Sequence, residues 1–368
     1  MKQLSILTVD GIGILKVPKT IVNLVGLSEV DFDYCNFTGV PISHGCFVGL
    51  KKLKFRGCSG LSCVLNSCHG LESLTVLYWP ESESIGKFLG SLSHLTSLTS
   101  LTLNECFITS EEPTPCYDLA QLTLLTDLDL SFNSFLRFPI SIHQLPRLTC
   151  LILTMCPNLE VLPELPTSLR ELHVQGCGSL DASNVNDVIS KACCGFAESS
   201  NQDPEDILQM RIGGKETPAW FDHQEEDNGV SISFPHNCPP TETVALALCF
   251  QFHYDYGYAT DGSTTVTLLT YNGKEFINNS LLKILAFGDP ACMCIVCVNG
   301  YYLSKLLCQP NRFQLLTPYG KVVQRCGARW VCKQDIQDFK KTESEARKRK
   351  AIVELNTDMI SDCSPSNE

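Results

Sequence analysis

The chain has 368 residues, of which 44% are hydrophobic and 18% are charged, a globular composition long enough for two domains. A formal net charge of -12 argues against a nucleic-acid-binding role, and no run of about 20 apolar residues offers a membrane span. The N-terminal residues lack a signal-peptide layout because Asp10 interrupts them, so the 21 cysteines predict free thiols in a reducing, cytoplasmic setting.

The first half of the chain repeats a Leu-x-x-Leu-x-Leu pattern in eight copies, spaced 21 to 27 residues apart. This spacing is typical of leucine-rich repeats, in which each copy forms one short strand of a curved solenoid. We therefore predict a leucine-rich-repeat α/β solenoid over residues 1–180, without an N-terminal cap and thus truncated at its start. The first apolar position of the copies holds Leu7, Val30, Leu53, Leu74, Leu101, Leu128, Leu151 and Leu172, and the second lies two residues later.

Five residues after the first apolar position, six of the eight copies carry Cys or Asn. A small side chain with a donor can hydrogen-bond backbone carbonyls where the strand turns a corner. We interpret these residues as structural, with no redox or metal role; Ile12 and Trp79 take the position in the other two copies. The six residues are Cys35, Cys58, Cys106, Asn133, Cys156 and Cys177.

The strand residues that alternate with the buried leucines are predicted to form the concave face. Exposed aromatic side chains beside mixed charges are typical of protein interfaces, so this face is a candidate binding surface for a protein. The alternative is a varied surface with no single partner. The candidates are Asp31, Asp33, Tyr34, Lys54, Arg56, Tyr78 and Phe132; the predicted face also includes Thr75, Leu77, Thr102, Asn104, Glu105, Asp129, Ser131, Ile152, Thr154, His173 and Gln175.

Residues 181–208 are rich in Asn, Asp and Ser, which predicts a polar linker with a short helix and a packed turn at Cys193-Cys194. From residue 209 the apolar period becomes two, which predicts an all-β jelly-roll/Ig-like sandwich over residues 209–337. A charged tail, disordered or helical, follows at 338–368. The predicted strands are Val230 to Phe234, Thr243 to Phe252, Thr264 to Leu269, Ala291 to Val298, Arg312 to Leu316 and Val322 to Cys332.

Two segments carry a family resemblance. "FPISIHQLPRLTCLILTMCPNLEVLPELPTSLRELHVQGCGSLD" resembles the last repeats of plant intracellular immune receptors of the TIR, nucleotide-binding, leucine-rich-repeat class. "GKETPAWFDHQEEDNGVSISFP" is similar to the signature that opens the C-terminal jelly-roll/Ig-like domain, the C-JID, of the same receptors. The resemblance implies a defence function, in which binding of a pathogen effector or a host guardee relieves autoinhibition of the nucleotide-binding module.

Within the second domain, Trp220 and Phe221 are predicted to plug the core or its edge. The loop "HYDYGYATDG" has a composition typical of binding loops, so Tyr254, Tyr256 and Tyr258 join the candidate protein-binding residues; a plain hairpin connection is the alternative. Cys292, Cys294 and Cys297 resemble a zinc spacing, but residues three apart in a strand face opposite ways, so no metal is predicted.

The sequence indicates no enzyme and no cofactor. It has no Gly-x-x-x-x-Gly-Lys-Ser/Thr loop and no arguable catalytic constellation, and the family's TIR segment and nucleotide switch have no counterpart. The basic run "KKTESEARKRK" is either a nuclear-import patch or a solvated helix face. The leading hypothesis is an effector-recognition module; the alternative is a truncated adaptor or decoy that pairs with full-length receptors. An upstream reading frame encoding the missing segments would favour the first.

Overall fold

Each of the eight predicted repeats forms one short strand, and each strand pairs in parallel with the next. A computed structural model describes residues 4–16, 24, 26–37, 49–59, 68, 70–78, 85–108, 119, 121–138, 142–199, 206–214, 216–226, 229–232, 243–253, 265–266, 268–271, 274–275, 283–284, 291–299, 311–316, 322–342 and 344–345. The repeat strands are β1 (Ile6–Lys16), β2 (Glu29–Asn36), β3 (Lys52–Arg56), β4 (Ser73–Leu77), β5 (Ser100–Asn104), β6 (Asp127–Asp129), β7 (Cys150–Ile152) and β8 (Glu171–Val174).

The strand register follows the sequence repeat at the first apolar position of every copy, and a shift between β1 and β2 occurs only later in β1, between Asp10 and Leu15. Leu7 lies opposite Val30, and each later copy places its first apolar residue opposite the next, as far as Leu151 opposite Leu172. From Val30 onward these residues are buried in one continuous core. Stacking equivalent leucines across neighbouring coils removes a continuous apolar column from water, which is what holds a solenoid together. The predicted solenoid class is confirmed.

Short helical elements lie on the connections between the strands. A helix, α1 (Ile85–Ser91), precedes β5 and runs into a 3₁₀ turn at Leu92–His94, and a second 3₁₀ turn spans Ile142–Gln144. Leu92 and Ile142 are buried beneath these turns. The connections therefore contribute apolar side chains to the same core from its convex side.

The segment 181–208 is not the linker that its polar composition predicted. An 18-residue helix, α2 (Ala182–Ser199), covers the last repeat and buries one apolar face. Its buried residues follow helical spacing, a signal that the average composition hides. Cys193 and Cys194 consequently lie inside a helix and not in a turn, and both are buried free thiols. The buried face consists of Val185, Val188, Ile189, Cys193, Cys194 and Phe196.

The repeat sheet does not end at its last repeat. β9 (Ile207–Gly213) pairs in parallel with β8, with Met210 opposite Leu172, and so extends the column of core residues by one more strand. The boundary predicted near 208/209 falls inside β9. The resulting sheet has 13 strands in the order β1 to β9, then β17 (Ala291–Asn299), β12 (Thr243–His253), β19 (Val322–Cys332) and β10 (His223–Glu225).

The rest of the C-terminal domain adds two smaller sheets and a helix. The four-stranded sheet runs in the order β11, β18, β14, β15, and the two-stranded sheet pairs β13 with β16. A third helix, α3, covers residues 333–342 and overlaps the predicted tail. The strands are β11 (Gly229–Ile232), β13 (Thr265–Val266), β14 (Leu268–Tyr271), β15 (Lys274–Glu275), β16 (Lys283–Ile284) and β18 (Asn311–Leu316).

The large sheet buries both of its faces in the C-terminal domain. Ala247 lies opposite Cys297, and both belong to the core that continues from the repeats under α2. Leu248 and Val296 point the other way and are also fully buried, together with Val230 of β11. One face of the sheet is therefore covered by the helix and the other by the four-stranded sheet, which fits the sandwich predicted from the sequence.

The cysteines divide into two groups. Fourteen of those that the structure describes are free thiols. Cys332 differs from the prediction because it is disulfide-bonded, and its partner is not among the described residues. Within the described part of the chain, no helix is long and apolar enough to cross a membrane.

Candidate recognition surface on the repeat array

The six predicted Cys and Asn residues, here called the turn column, make one recurring hydrogen bond. Each donates to the carbonyl oxygen of the second apolar position of the preceding repeat. Cys58 Sγ donates to Phe32 at 3.1 Å, and Cys177 Sγ donates to Leu153 at 3.0 Å. The bond gives a backbone carbonyl near the end of the strand a hydrogen-bond partner that the sheet does not supply. The others run from Cys35 to Val9 (4.0 Å), Cys106 to Val76 (3.6 Å), Asn133 to Leu103 (2.8 Å) and Cys156 to Leu130 (3.4 Å).

Asn133 makes more of these bonds than any cysteine can, because its amide has two N–H donors and a strong acceptor oxygen, whereas a thiol has one weak donor and a weak acceptor. Its Nδ2 donates to the carbonyls of Leu103, Leu130 and Ser131, and its Oδ1 accepts from the backbone N–H groups of Cys106 at 3.1 Å and Ile108 at 3.2 Å. The side chain is fully buried. Asn133 thus joins two successive turns of the array.

Burial holds two of the column's thiols, Cys35 and Cys58, in their protonated form, whereas the hydrogen bond from Cys177 lowers the pKa of the Cys156 thiol. Burial raises the pKa of the Cys58 thiol to about 12, despite an opposing hydrogen bond from the backbone of Cys35. Burial also raises the pKa of Cys35. A thiol that stays protonated keeps its S–H donor and is a poor nucleophile and a poor metal ligand. This chemistry suits a structural role.

The residue before each member of the turn column has a left-handed backbone. Seven successive residues at this repeat position, including Tyr78 before Trp79, have φ between 52 and 73°. Only two of the seven are glycines, although the left-handed backbone conformation costs other residues about 1 kcal/mol. We call this set the ridge; in chain order it is Tyr34, Gly57, Tyr78, Glu105, Phe132, Met155 and Gly176.

Neighbouring strands hold the ridge residues in this conformation. The N–H of Tyr78 donates to the carbonyl of Asn104 at 3.1 Å, and that of Phe132 donates to Thr154 at 2.9 Å. Gly57, Glu105 and Met155 make the equivalent bond to the next repeat. A left-handed conformation persists where such surroundings impose it. Its consequence here is that each ridge side chain points away from the core.

The ridge is therefore exposed and mostly apolar. Tyr34, Tyr78, Phe132 and Met155 expose 48%, 49%, 49% and 40% of their surface. The Tyr34 ring lies over Gly57, since a Cβ there would come within 2.6 Å of the ring, and the Met155 sulfur covers Gly176 in the same way. The candidates Tyr34, Tyr78 and Phe132 thus lie along one line. Tyr78 and Phe132 follow their strands instead of lying within them.

The predicted concave face lies beside the ridge and is here called the wall. Its charge and exposure differ between its N-terminal and C-terminal ends. At the N-terminal end, the charges of β2 face those of β3 in register. Lys54 lies 3.2 Å from Asp31, and Arg56 lies 4.0 Å from Asp33. These four candidates therefore neutralise one another, and they are only partly exposed.

The C-terminal end of the wall is closed, contrary to the prediction for His173 and Gln175. Both are buried, as are Ser131 of the wall and Arg211 of β9. Gln175 Nε2 donates to the Cys292 sulfur at 3.1 Å, so the C-terminal domain bonds directly to the concave side of β8. The face predicted as one open wall from β2 to β8 is therefore open only over its earlier strands.

Trp220 and Phe221 lie where the repeats, α2 and the C-terminal domain meet. Phe221 is buried against Gly327 of β19, where a Cβ would come within 3.0 Å of the Phe221 Cβ. Trp220 is partly buried beneath the Arg329 guanidinium, 5.2 Å from the ring centroid, and the backbone N–H of Trp220 donates to Asn186 Oδ1 of α2 at 3.3 Å. Both residues have packing roles at this junction.

The remaining candidates add no site within the part of the chain that the structure describes. Tyr254, Tyr256 and Tyr258 lie outside the described residues. Cys294 and Cys297 are buried on opposite faces of β17, as the strand period requires. Among the residues that the structure describes, no group of three or more His, Cys, Asp or Glu side chains is placed to hold a metal ion.

Sequence reasoning missed Met155 as a ridge member, and it placed Glu105 in the face without assigning it a role. The signal was present, because both residues directly precede a member of the turn column, as Tyr34 and Phe132 do. What the sequence pattern did not reveal is that this position projects outward through a left-handed backbone.

Comparison with known proteins finds that the chain is similar to plant disease resistance proteins. Residues 212–360 match the C-JID domain. TMV resistance protein N of Nicotiana glutinosa is 31% identical over 36% of this chain and 14% of that protein, and Disease resistance protein RPS4B of Arabidopsis thaliana is 24% identical over 55% of this chain and 21% of that protein. The chain therefore spans about a seventh and about a fifth of these relatives.

A solved structure, the leucine-rich repeat domain of the type III effector XopL, matches with a TM-score of 0.27 and 17% identity over 49% of this chain and 64% of that chain. So loose a superposition carries no argument. The C-JID match and the two resistance proteins do confirm the resemblance drawn from the sequence. The chain is similar to the C-terminal part of plant TIR-NB-LRR disease resistance proteins, with the C-JID match at residues 212–360.

Proposed function

We propose that this chain, a defence-related receptor module, recognises a protein ligand through the ridge and the open part of the concave wall. The ligand is a pathogen effector or a host guardee inside the plant cell, in the cytoplasm and, if the basic run acts in import, in the nucleus. Loops of the C-terminal sandwich, including Tyr254, Tyr256 and Tyr258, complete the surface. We propose no nucleic-acid or membrane partner, no cofactor and no catalysis.

The observation that carries the proposal is the line of large apolar side chains on left-handed backbone. Tyr78, Phe132 and Met155 take a conformation that glycine adopts more easily, and each then leaves 40 to 49% of its surface in water. Neither choice helps the fold, because the strain costs stability and the exposed surface gains none. Aromatic residues clustered in this way are typical of binding hot spots.

The adaptor or decoy hypothesis remains the second candidate. In that case the module would contact full-length receptors and would have no ligand of its own. The two hypotheses differ in the origin of the protein that touches the ridge.

Proximity labelling in infected and uninfected leaf tissue tests the proposal. We would compare the parent, Phe132→Gly, and the control Asn158→Ala, an exposed residue of the loop that follows the turn column. The proposal expects a pathogen or host protein that the parent and the control label and Phe132→Gly does not. Labelling of full-length receptors alone would favour the adaptor. Identical labelling by Phe132→Gly and the parent would contradict binding at the ridge.

A further inference from the structure

The chemistry of the ligand can be read from the charges that the wall leaves unpaired. On β2 and β3 the acidic and basic side chains alternate in register, with Lys52 3.9 Å from Glu29 and Lys54 3.2 Å from Asp31. Charges that already neutralise one another contribute little to attracting a partner. The N-terminal part of the wall therefore has no strong preference for either sign of charge.

The next part of the wall carries only negative charge. Asp127 and Asp129 point outward from β6 on either side of the buried Leu128, and Glu105 lies on the ridge at the end of β5. None of these three carboxylates forms an ion pair with a described residue. On β4 to β7, no Lys or Arg occupies a strand position.

Asp129 is held in a fixed orientation by neutral donors. Its Oδ1 accepts from the N–H of Ser131 at 2.9 Å and from the Ser131 hydroxyl at 2.6 Å, and its Oδ2 accepts from Asn104 Nδ2 at 3.1 Å. These bonds orient the carboxylate without cancelling its charge. A fixed, uncompensated carboxylate favours a cation that approaches from solvent.

Apolar ridge residues frame this negative charge. Tyr78, Glu105, Phe132 and Met155 belong to four consecutive repeats, so they are spaced at about 4.8 Å and span roughly 14 Å. An extended segment of about four residues covers that distance. The faces of Tyr and Phe rings also attract a cation, which adds to the effect of the carboxylates.

We infer that Tyr78, Glu105, Asp129, Phe132 and Met155 form an acidic and apolar patch that binds a protein segment carrying Lys or Arg between apolar side chains. The inference rests on the proposed function and names the chemistry of its ligand. The cation lies against Glu105 and Asp129, while its apolar neighbours cover Phe132 and Met155. An acidic segment is repelled by the same carboxylates.

A library of random peptides displayed on phage and panned on the full chain tests this chemistry. Enriched sequences should place Lys or Arg next to aromatic or aliphatic residues. A synthetic peptide of the enriched sequence is then titrated by fluorescence anisotropy against the parent, Glu105→Gln, Phe132→Gly and Glu160→Gln. Glu160→Gln is the matched control, since it removes an exposed carboxylate from a connecting loop outside the patch.

We expect Glu105→Gln and Phe132→Gly each to weaken binding about tenfold, as for loss of a charge-assisted contact or an aromatic anchor. Glu160→Gln should bind like the parent. Enrichment of acidic or uncharged peptides that still depend on Phe132 would overturn the cationic chemistry and leave the proposed function standing. Peptides that bind Phe132→Gly and Glu105→Gln as tightly as the parent would overturn both. Failure to enrich any peptide over a blank surface would also contradict the inference. Unchanged unfolding midpoints establish that the variants are folded.

Discussion

The turn column and the ridge occupy neighbouring positions of the same repeat, yet they differ in almost every physical property. Asn133 is fully buried with five hydrogen bonds to backbone groups, and the residue before it, Phe132, is half exposed on strained backbone. The difference teaches that adjacent residues of one turn have separate tasks, since the turn column stabilises the fold and the ridge is available for recognition. The inward residue holds successive coils together, and the outward residue is available to vary with the ligand.

The largest loss of stability is expected when a buried side chain of the turn column is removed. Asn133→Ala leaves several buried backbone groups of two successive turns without a partner and should lower the free energy of unfolding by about 3 kcal/mol. Urea denaturation at neutral pH measures it. Asn158→Ala is the matched control, because the Asn158 amide is exposed and makes one bond, to Ser134 at 3.3 Å. An equal, small effect of both substitutions would remove the role assigned to the turn column.

Cysteine members of the column should matter less, since a thiol makes a weaker bond than an amide. Cys177→Ala and Cys156→Ala each lose a donor and leave a small cavity, and each should cost about 1–2 kcal/mol. Cys177→Ser keeps a donor and should recover part of the loss. In the native state, both thiols should react slowly with a labelling reagent. Rapid labelling of the folded parent would contradict their burial.

The ridge glycines offer a test of the left-handed backbone. Gly57→Ala should cost about 1 kcal/mol through its φ of 57° and should displace the Tyr34 ring, which lies 2.6 Å from the new Cβ. Gly178→Ala is the control, because nothing lies within 4 Å of its Cβ. Thermal midpoints and Tyr fluorescence measure the two effects. If both variants unfold with the same midpoint, the backbone strain assigned to the ridge is absent.

A smaller effect should appear at alkaline pH. The Cys58 thiol ordinarily titrates at 9.0, and burial raises its pKa to about 12 in the folded chain. Between these values the unfolded chain binds fewer protons than the folded chain, so stability falls as pH rises above 9 and is unaffected below it. The stability difference between the parent and Cys58→Ala should therefore shrink above pH 9 under reducing conditions. A difference that stays constant with pH would show that the thiol titrates normally.

Much of this fold could be predicted because the spacing of the apolar residues in leucine-rich repeats determines the register between neighbouring strands. The apolar residues recur at one spacing, so Leu101 can only pair with its equivalents Leu74 and Leu128. The continuation of the sheet through β9 could not be predicted, since no repeat pattern marks residues 207–213. The helix α2 directly precedes this strand, and the polar composition around the helix concealed it.

The candidate surface was predictable in part. The aromatic residues stood out because they interrupt an otherwise small and polar face, which identified Tyr34, Tyr78 and Phe132. Their backbone conformation ran against expectation, since bulky residues rarely adopt positive φ. Gln175 is buried and bonds to Cys292, more than a hundred residues away, a contact that no local pattern encodes.

Substitutions at two adjacent residues, Phe132 of the ridge and Asn133 of the turn column, test most directly whether the ridge serves recognition and the turn column serves stability. Phe132→Gly exchanges a half-exposed ring for a residue that fits its φ of 61° without strain, so the lost contacts and the relieved strain nearly cancel. Urea denaturation of the parent, Phe132→Gly and Asn133→Ala in one experiment should place Phe132→Gly within about 0.5 kcal/mol of the parent, as for a surface change, and Asn133→Ala about 3 kcal/mol below it. If Phe132→Gly instead loses as much stability as Asn133→Ala, the ridge is part of the fold's support, and the separation of stability from recognition is wrong.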